Sequence, residues 1–275
     1  MVAINLKKFD ISRIAKGSVV VMIGKRNTGK SFLVRDMLYH KRDIPVGTVI
    51  SATECANCFY GYMMPKLFIH DAFSPEIITS LIKRQTIVVK KMKEEEKTIG
   101  KSNIDPWSFL ILDDLMYDTS WIKDKNIRAL FMNGRHFKIF YVLTMQYSLG
   151  LPPALRSNVD YVFILRENIV SNRKRLYEQY AGMFPTFDIF CQVMDQCTAN
   201  YECLVIDNTT KSNNIEDMVY WYKADDHEDF KIGAPAFWQY AANNYSEADI
   251  DQEDDISTVN QKKNRTLINV KKGSY

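Results

Sequence analysis

Residues 18–31 read Ser18-Val-Val-Val-Met-Ile-Gly24-Lys-Arg-Asn-Thr-Gly29-Lys30-Ser31: an apolar run entering Gly-x-x-x-x-Gly-Lys-Ser, then a helical pattern from Phe32 to His40. A strand, a glycine-bounded loop and a helix in that order form a P-loop. Gly24 and Gly29 let the backbone take conformations that a Cβ opposes, so successive N–H groups turn inward onto phosphate oxygens. The helix behind the loop aims its positive end at the same point. Gly24, Lys25, Arg26, Asn27, Thr28, Gly29, Lys30 and Ser31 are therefore expected to cradle a nucleoside triphosphate. Lys30 supplies a point charge to its β- and γ-phosphates, and the Ser31 hydroxyl suits a magnesium ion that keeps several waters.

Outward from this loop, Gly47-Thr-Val-Ile-Ser-Ala52 predicts a second strand and Leu67–His70 a third. Phe9, Ile11 and Ile14, in the lead-in, are available to cover an edge of the sheet. Pro75 opens a long helical pattern stopped by Gly100, and its mixed Lys and Glu run over 90–97 reads as a solvated helix end. Trp107-Ser-Phe-Leu-Ile-Leu-Asp113-Asp114 is a continuous apolar run closed by two carboxylates, the form of a Walker B strand. Asp113 is expected to hold the magnesium, mostly through its water shell. Asp114 is expected to orient or deprotonate an attacking water.

The pattern over Asp124–Asn133 predicts a helix, and Phe137–Gln146 predicts a strand with a polar tip. Gln146 falls where an amide can sense a γ-phosphate or align water. A proline-started turn at Pro152, a strand over Asp160–Leu165 and helices over Ser171–Tyr180 and Thr186–Cys197 follow. Glu202–Asp207 and Met218–Tyr222 are expected to form a hairpin at a sheet edge, and Gly233–Tyr240 a short aromatic helix.

Eighty-three positions separate Lys30 from Asp113, and they contain a strand and a long helix. With the polar-tipped strand after Asp114, this spacing favours the additional-strand, RecA/ASCE-like division of P-loop folds. The expected fold class is α/β: a mostly parallel central sheet flanked by helices, with C-terminal strand additions. No Asn-Lys-x-Asp guanine signature occurs, so ATP is preferred. Residues 1–243 are expected to form one ATPase domain. Residues 244–275, with six acids, five bases and few apolar side chains, are expected to form a disordered tail.

The 275 residues are 46% hydrophobic with a net charge of +3, so any nucleic-acid contact must be a local patch. No stretch of 18 consecutive apolar residues occurs, and no membrane partner is expected. Five cysteines, an odd number, behind an N-terminus without a long apolar run point to a reducing, intracellular compartment. Cys55-x-x-Cys58 has no second pair at zinc-finger spacing and reads as free thiols. Cys191, Cys197 and Cys203 fall on apolar patterns that suit buried thiols.

Gly24–Ser31, Leu110-Ile-Leu-Asp-Asp114, Asn133-Gly-Arg-His136, Thr144-Met-Gln146, Leu155-Arg-Ser-Asn-Val-Asp160 and Trp221-Tyr-Lys-Ala224 together resemble the poxvirus-type DNA-packaging ATPases of nucleocytoplasmic large DNA viruses, members of the FtsK/HerA superfamily. The resemblance implies a hexameric motor that uses ATP and Mg2+ to drive double-stranded DNA into an assembling capsid. It further implies a capsid or portal partner and a location in the host-cell viral factory or the virion. By position, Lys30 and Ser31 are the Walker A ligands, Asp113 and Asp114 the Walker B pair, Gln146 the sensor and Arg135 the finger that reaches a neighbour's nucleotide, with Arg156 as runner-up. Many relatives of the superfamily carry Glu where this chain has Asp114, which leaves Glu54 as a further carboxylate to consider. Arg173, Lys174 and Arg175 are candidate DNA contacts. A nucleotide or small-molecule kinase using those basic residues as a lid, and a nucleotide-gated assembly protein with little turnover, are the alternatives.

Overall fold

The computed structural model describes residues 4–115, 120–147 and 151–244. In chain order the elements are β1 (Lys7–Lys8), β2 (Val19–Ile23), α1 (Lys30–His40), β3 (Val46–Ser51), α2 (Glu54–Asn57), β4 (Ile69–His70), α3 (Pro75–Ile99), β5 (Ser108–Asp113), α4 (Ser120–Lys123), α5 (Lys125–Asn133), β6 (Ile139–Met145), α6 (Pro153–Arg156), β7 (Tyr161–Ile164), α7 (Val170–Tyr180), α8 (Phe187–Cys197), β8 (Glu202–Asp207), α9 (Ile215–Met218), β9 (Val219–Lys223) and α10 (Pro235–Asn244).

The strands of the described residues form one nine-stranded sheet in the order β1-β9-β8-β7-β2-β6-β5-β3-β4. All neighbours pair parallel except at β8, which runs antiparallel to both β7 and β9. The P-loop strand β2 and the acid-tipped strand β5 are not adjacent, because β6 lies between them. This is the additional-strand arrangement expected from the polar tip at Gln146.

Side chains alternate across a strand, so a sheet covered on both faces sorts successive residues into two cores. Val19, Val21, Ile23, Leu110 and Leu112 pack with Ile78, Leu81, Ile127, Leu130, Leu176 and Phe190 from α3, α5, α7 and α8. Val20, Met22, Phe109 and Ile111 pack on the other face with Leu33, Val34, Met37 and Leu38 of α1 and with Phe237 of α10. Burial on both faces explains why β2, β5 and β6 are near-continuous apolar runs. It also gives a three-layer α/β P-loop fold.

The helix boundaries follow their caps. Ser74 accepts from the Glu76 N–H ahead of Pro75, and Gly100, at φ +81, ends α3. The Asp124 side chain accepts from the Asn126 and Ile127 N–H groups at the start of α5. Both are N-cap arrangements of the kind that satisfies otherwise unpaired helix amides. The charged end of α3 is exposed, with Lys90 and Glu94 paired one turn apart at 3.7 Å.

Two expectations change. The β8–β9 pair is antiparallel as expected, yet it does not end the sheet, because Lys7–Lys8 adds a two-residue strand outside β9. Exposed lysines gave that strand no apolar signature. Phe9, Ile11 and Ile14 are buried beside it. Of Leu67–His70, only Ile69 and His70 pair with β3, since Lys66–Phe68 closes into a 3-10 turn. The stretch from Tyr245 onward lies outside the described residues.

Candidate active site

Parallel register assembles the site. Ser51, Asp113 and Thr144 are cross-strand partners at the carboxyl ends of β3, β5 and β6. Such partners stand side by side on one face about 4.8 Å apart. Thr144 Oγ1 accordingly donates to Asp113 Oδ1 at 2.5 Å, and Ser51 Oγ donates to Asp113 Oδ2 at 3.3 Å. Both carboxylate oxygens are thereby oriented by hydroxyls from flanking strands.

Strand continuation would send Asp114 to the opposite face from Asp113. Instead Asp114 turns into the left-handed region at φ +53, a conformation that costs a non-glycine residue energy and persists where neighbours enforce it. Its N–H donates to Thr144 Oγ1 at 3.1 Å, and its Oδ2 accepts from Gln146 Nε2 at 2.5 Å. Thr144 therefore serves both acids at once.

The loop Gly24–Gly29 leaves β2 beside this group, with the Gly24 N–H donating to the Met145 carbonyl at 2.9 Å. A Cβ on Gly24 would meet Thr28 Oγ1 at 2.7 Å and Leu165 Cβ at 2.8 Å, so close packing excludes a side chain there. Gly29, at φ +96, starts α1. Asn27 is also left-handed, at φ +62, and Thr28 Oγ1 donates to the Lys25 carbonyl at 2.7 Å. Lys30 Nζ donates to the Gly24 carbonyl at 3.3 Å. Burial pushes its pKa below the ordinary lysine value, against the opposing pull of Asp114 and Asp113. The Ser31 hydroxyl belongs to an exposed residue in the first turn of α1.

The structure thus brings Gly24–Ser31, Asp113, Asp114 and Gln146 to one edge of the sheet, and it separates Arg135 from them. Arg135 precedes β6 at the amino end of the strands, and the seven residues of β6 span about 20 Å. There it is 66% exposed and pairs with Asp160 at 3.5 Å. Asp160 Oδ2 meanwhile accepts from the Val19 N–H. Arg156 lies before β7 at the same edge, donating to the Leu151 carbonyl at 3.3 Å.

Other sequence candidates are occupied. Glu54 accepts from the Tyr60 and Gly61 N–H groups at 2.9 and 2.7 Å, so both of its oxygens hold a backbone turn. Arg173 is held by the Glu167 carbonyl at 2.6 Å and by Asp195 at 2.5 Å, while Lys174 and Arg175 are exposed. Cys55 donates to Asp71 at 2.8 Å, and Cys58 is an exposed thiol. Cys203 is buried as expected, whereas Cys191 and Cys197 are partly exposed.

Four contributors were not singled out from the sequence: Ser51, Thr144 as an individual residue, Glu167 and Tyr60. Ser51 and Thr144 are hydroxyls at the ends of apolar strands, and only the strand register, which sets both beside Asp113, gives them a role. Glu167 forms a 2.6 Å ion pair with Lys25 of the loop. Burial pushes its pKa up, but Lys25, the Ile169 N–H and Asn172 outweigh that and hold it below the usual glutamate value. Tyr60 is buried, and burial together with the neighbouring Asp113 carboxylate pushes the pKa of its hydroxyl well up.

No family model matches this sequence. The chain is 43% identical over 234 residues to protein L437 of Acanthamoeba polyphaga mimivirus, covering 85% of this chain and 81% of that one. It is 42% identical over 256 residues to protein 075L of Invertebrate iridescent virus 6, covering 88% and 95% respectively. Among solved structures it is similar to B204, the DNA-packaging ATPase of Sulfolobus turreted icosahedral virus, with a TM-score of 0.50 and 15% identity over 76% of this chain and 98% of that chain. At that identity the likeness is one of fold.

Proposed function

This chain belongs to the family of large-DNA-virus proteins that includes mimivirus L437 and iridescent virus 075L, and we propose that it is an ATP-hydrolysing motor that drives double-stranded viral DNA into the capsid. The observation that carries the reading is the Asp114–Gln146 pair, set beside the Asp113 carboxylate at the same sheet edge as Lys30. It is the arrangement expected for in-line attack of water on a γ-phosphate.

The backbone amides of Gly24–Gly29 and the α1 terminus bind the triphosphate, and Lys30 neutralises it. The oxygen donors Ser31 and Asp113 fit a magnesium ion, which neutralises charge on the phosphate oxygens when bound. Asp114 takes or orients the proton of the attacking water, and Gln146 fixes the carboxylate that does so. Arg135 acts on a neighbouring subunit's nucleotide, since its own P-loop lies at the far end of the sheet.

The finer parts of the proposal are a poxvirus-type packaging ATPase, a hexameric ring, a capsid or portal partner, and work in the host cytoplasm or the virion. They draw support from the ordered motif set, the viral relatives, and the DNA packaging carried out by B204, which shares the fold. No described helix is long and apolar enough to cross a membrane.

The test is ATP hydrolysis by the purified protein with and without double-stranded DNA, under conditions where it assembles. Stimulation by DNA that is lost in Lys30→Ala is the expected result. Phosphorylation of added nucleosides with no response to DNA would instead make the protein a kinase.

A further inference from the structure

A cluster on the far side of α1 has no part in the nucleotide chemistry. Asp36 and His40, one turn apart on α1, meet His227 from the segment after β9. Asp36 is fully buried, and its Oδ1 lies 2.6 Å from His227 Nε2 and 3.5 Å from His40 Nε2. All three ligand atoms fall within 4.8 Å of one another. We propose that Asp36, His40 and His227 form a binding site for zinc or a similar borderline divalent cation, clipping the segment around His227 to the helix that carries Lys30 and Ser31.

Tetrahedral zinc, with ligand bonds of about 2.0–2.1 Å, separates its ligand atoms by about 3.3 Å. The observed separations bracket that figure, so small side-chain adjustments centre an ion. Two imidazoles and one carboxylate are a zinc donor set, unlike the oxygen donors at Ser31 and Asp113, which suit magnesium.

The surroundings hold the donors in place. Asp36 Oδ2 accepts from the Tyr222 hydroxyl at 2.5 Å and from the Asp225 N–H at 3.3 Å, which leaves Oδ1 facing the two imidazoles. The His227 ring stacks on Tyr39, with centroids 3.7 Å apart and planes within 9°. Arg35 donates to the carbonyls of His227 and Glu228 at 2.6 and 3.1 Å and lies over the Phe230 ring. Metal sites depend on such outer contacts to orient their ligands. The rings of His40 and His227 are both partly exposed, so an ion and a water in the fourth position have an entry path.

The experiment uses the full chain without nucleotide: zinc content after dialysis, and the visible absorption of added Co2+. Wild type should retain about one zinc per chain and give intense tetrahedral Co2+ bands. H40A and H227A should each lose the bands and weaken zinc binding by at least about 100-fold. Y222F should weaken it by about 10- to 100-fold. A C55S/C58S double variant should bind as wild type does. H40A carries the test if H227A fails to fold, because His40 is the more exposed ligand. Wild-type protein that binds no zinc, or zinc that persists in H40A and departs in C55S/C58S, would overturn the proposal and leave Asp36 as a plain hydrogen-bonding hub.

Discussion

The Gln146 side-chain amide donates to Asp114 Oδ2 at 2.5 Å, across the gap between the ends of β5 and β6. One residue after its strand ends, Gln146 therefore fixes the carboxylate proposed to act on water, while the left-handed backbone at Asp114 turns that carboxylate toward it. Asp114→Asn should lower kcat by about 10²- to 10⁴-fold, the usual worth of a positioned general base. Gln146→Ala should cost less, about tenfold, because the base remains but is no longer held. Both variants should bind a fluorescent ATP analogue within about threefold of wild type. A large loss of affinity in either would move that residue from the chemical step to nucleotide binding.

Thr144 is the shared support of the two acids. Its hydroxyl donates to Asp113 and accepts from the Asp114 N–H, and it is 1% exposed. Thr144→Val keeps the shape and strands both partners, an arrangement that costs about 1–3 kcal/mol of stability for a buried polar group. Denaturant unfolding should show that loss, and the magnesium dependence of nucleotide binding should shift to higher concentration. Unchanged unfolding would mean that water replaces the hydroxyl.

The contrast between Asp113 and its supports shows what a sequence makes legible. Strand β5 and its acids stand out because a strand buried on both faces must be apolar along its length, so a pair of carboxylates at its end has few readings. The insertion of β6 between β2 and β5 was legible for a related reason, through the polar tip at Gln146. Ser51 and Thr144 were harder, since a hydroxyl in a strand carries no message until register sets it beside a carboxylate. Glu167 and His227 depend on contacts between distant segments, 142 and 191 positions from Lys25 and Asp36. The strand at Lys7–Lys8 consists of two exposed lysines, so no apolar pattern announced it.

Lys25 and Lys30 share one loop and face different partners. Lys25 is held by Glu167 at 2.6 Å, whereas Lys30 is buried near Asp113 and Asp114. Lys30→Ala should weaken nucleotide binding by at least about 100-fold, or about 2.7 kcal/mol, and Lys25→Ala by no more than about threefold. The ion pair also has a pH signature. Glu167 is held below its unfolded value, so its contribution is present above the unfolded glutamate pKa of about 4.3 and is lost as pH falls through the folded one. Wild type should therefore exceed Glu167→Gln in stability at neutral pH, with the gap closing in acid. A gap that is constant down to pH 3 would remove Glu167 as the titrating group.

Arg135 provides the test of shared active sites. Its side chain is 66% exposed and meets Asp160 at 3.5 Å, while Asp160 keeps its bond from the Val19 N–H without it, so Arg135→Ala should fold and lose no more than about 1 kcal/mol. Removing a finger that completes a neighbour's site should nevertheless lower ATP turnover by about 10³- to 10⁵-fold. In a head-to-tail ring, each site takes its P-loop from one subunit and its finger from the next. Arg135→Ala and Asp114→Asn, each inactive alone, should then complement when mixed. A site whose P-loop comes from the Arg135→Ala subunit and whose finger comes from the Asp114→Asn subunit has every part, and random mixing forms this at about a quarter of interfaces. Recovered turnover in the mixture is the expected outcome, measured after co-assembly. A mixture no more active than its components, in rings shown to contain both subunits, would rule out Arg135 as the finger and direct the same experiment to Arg156.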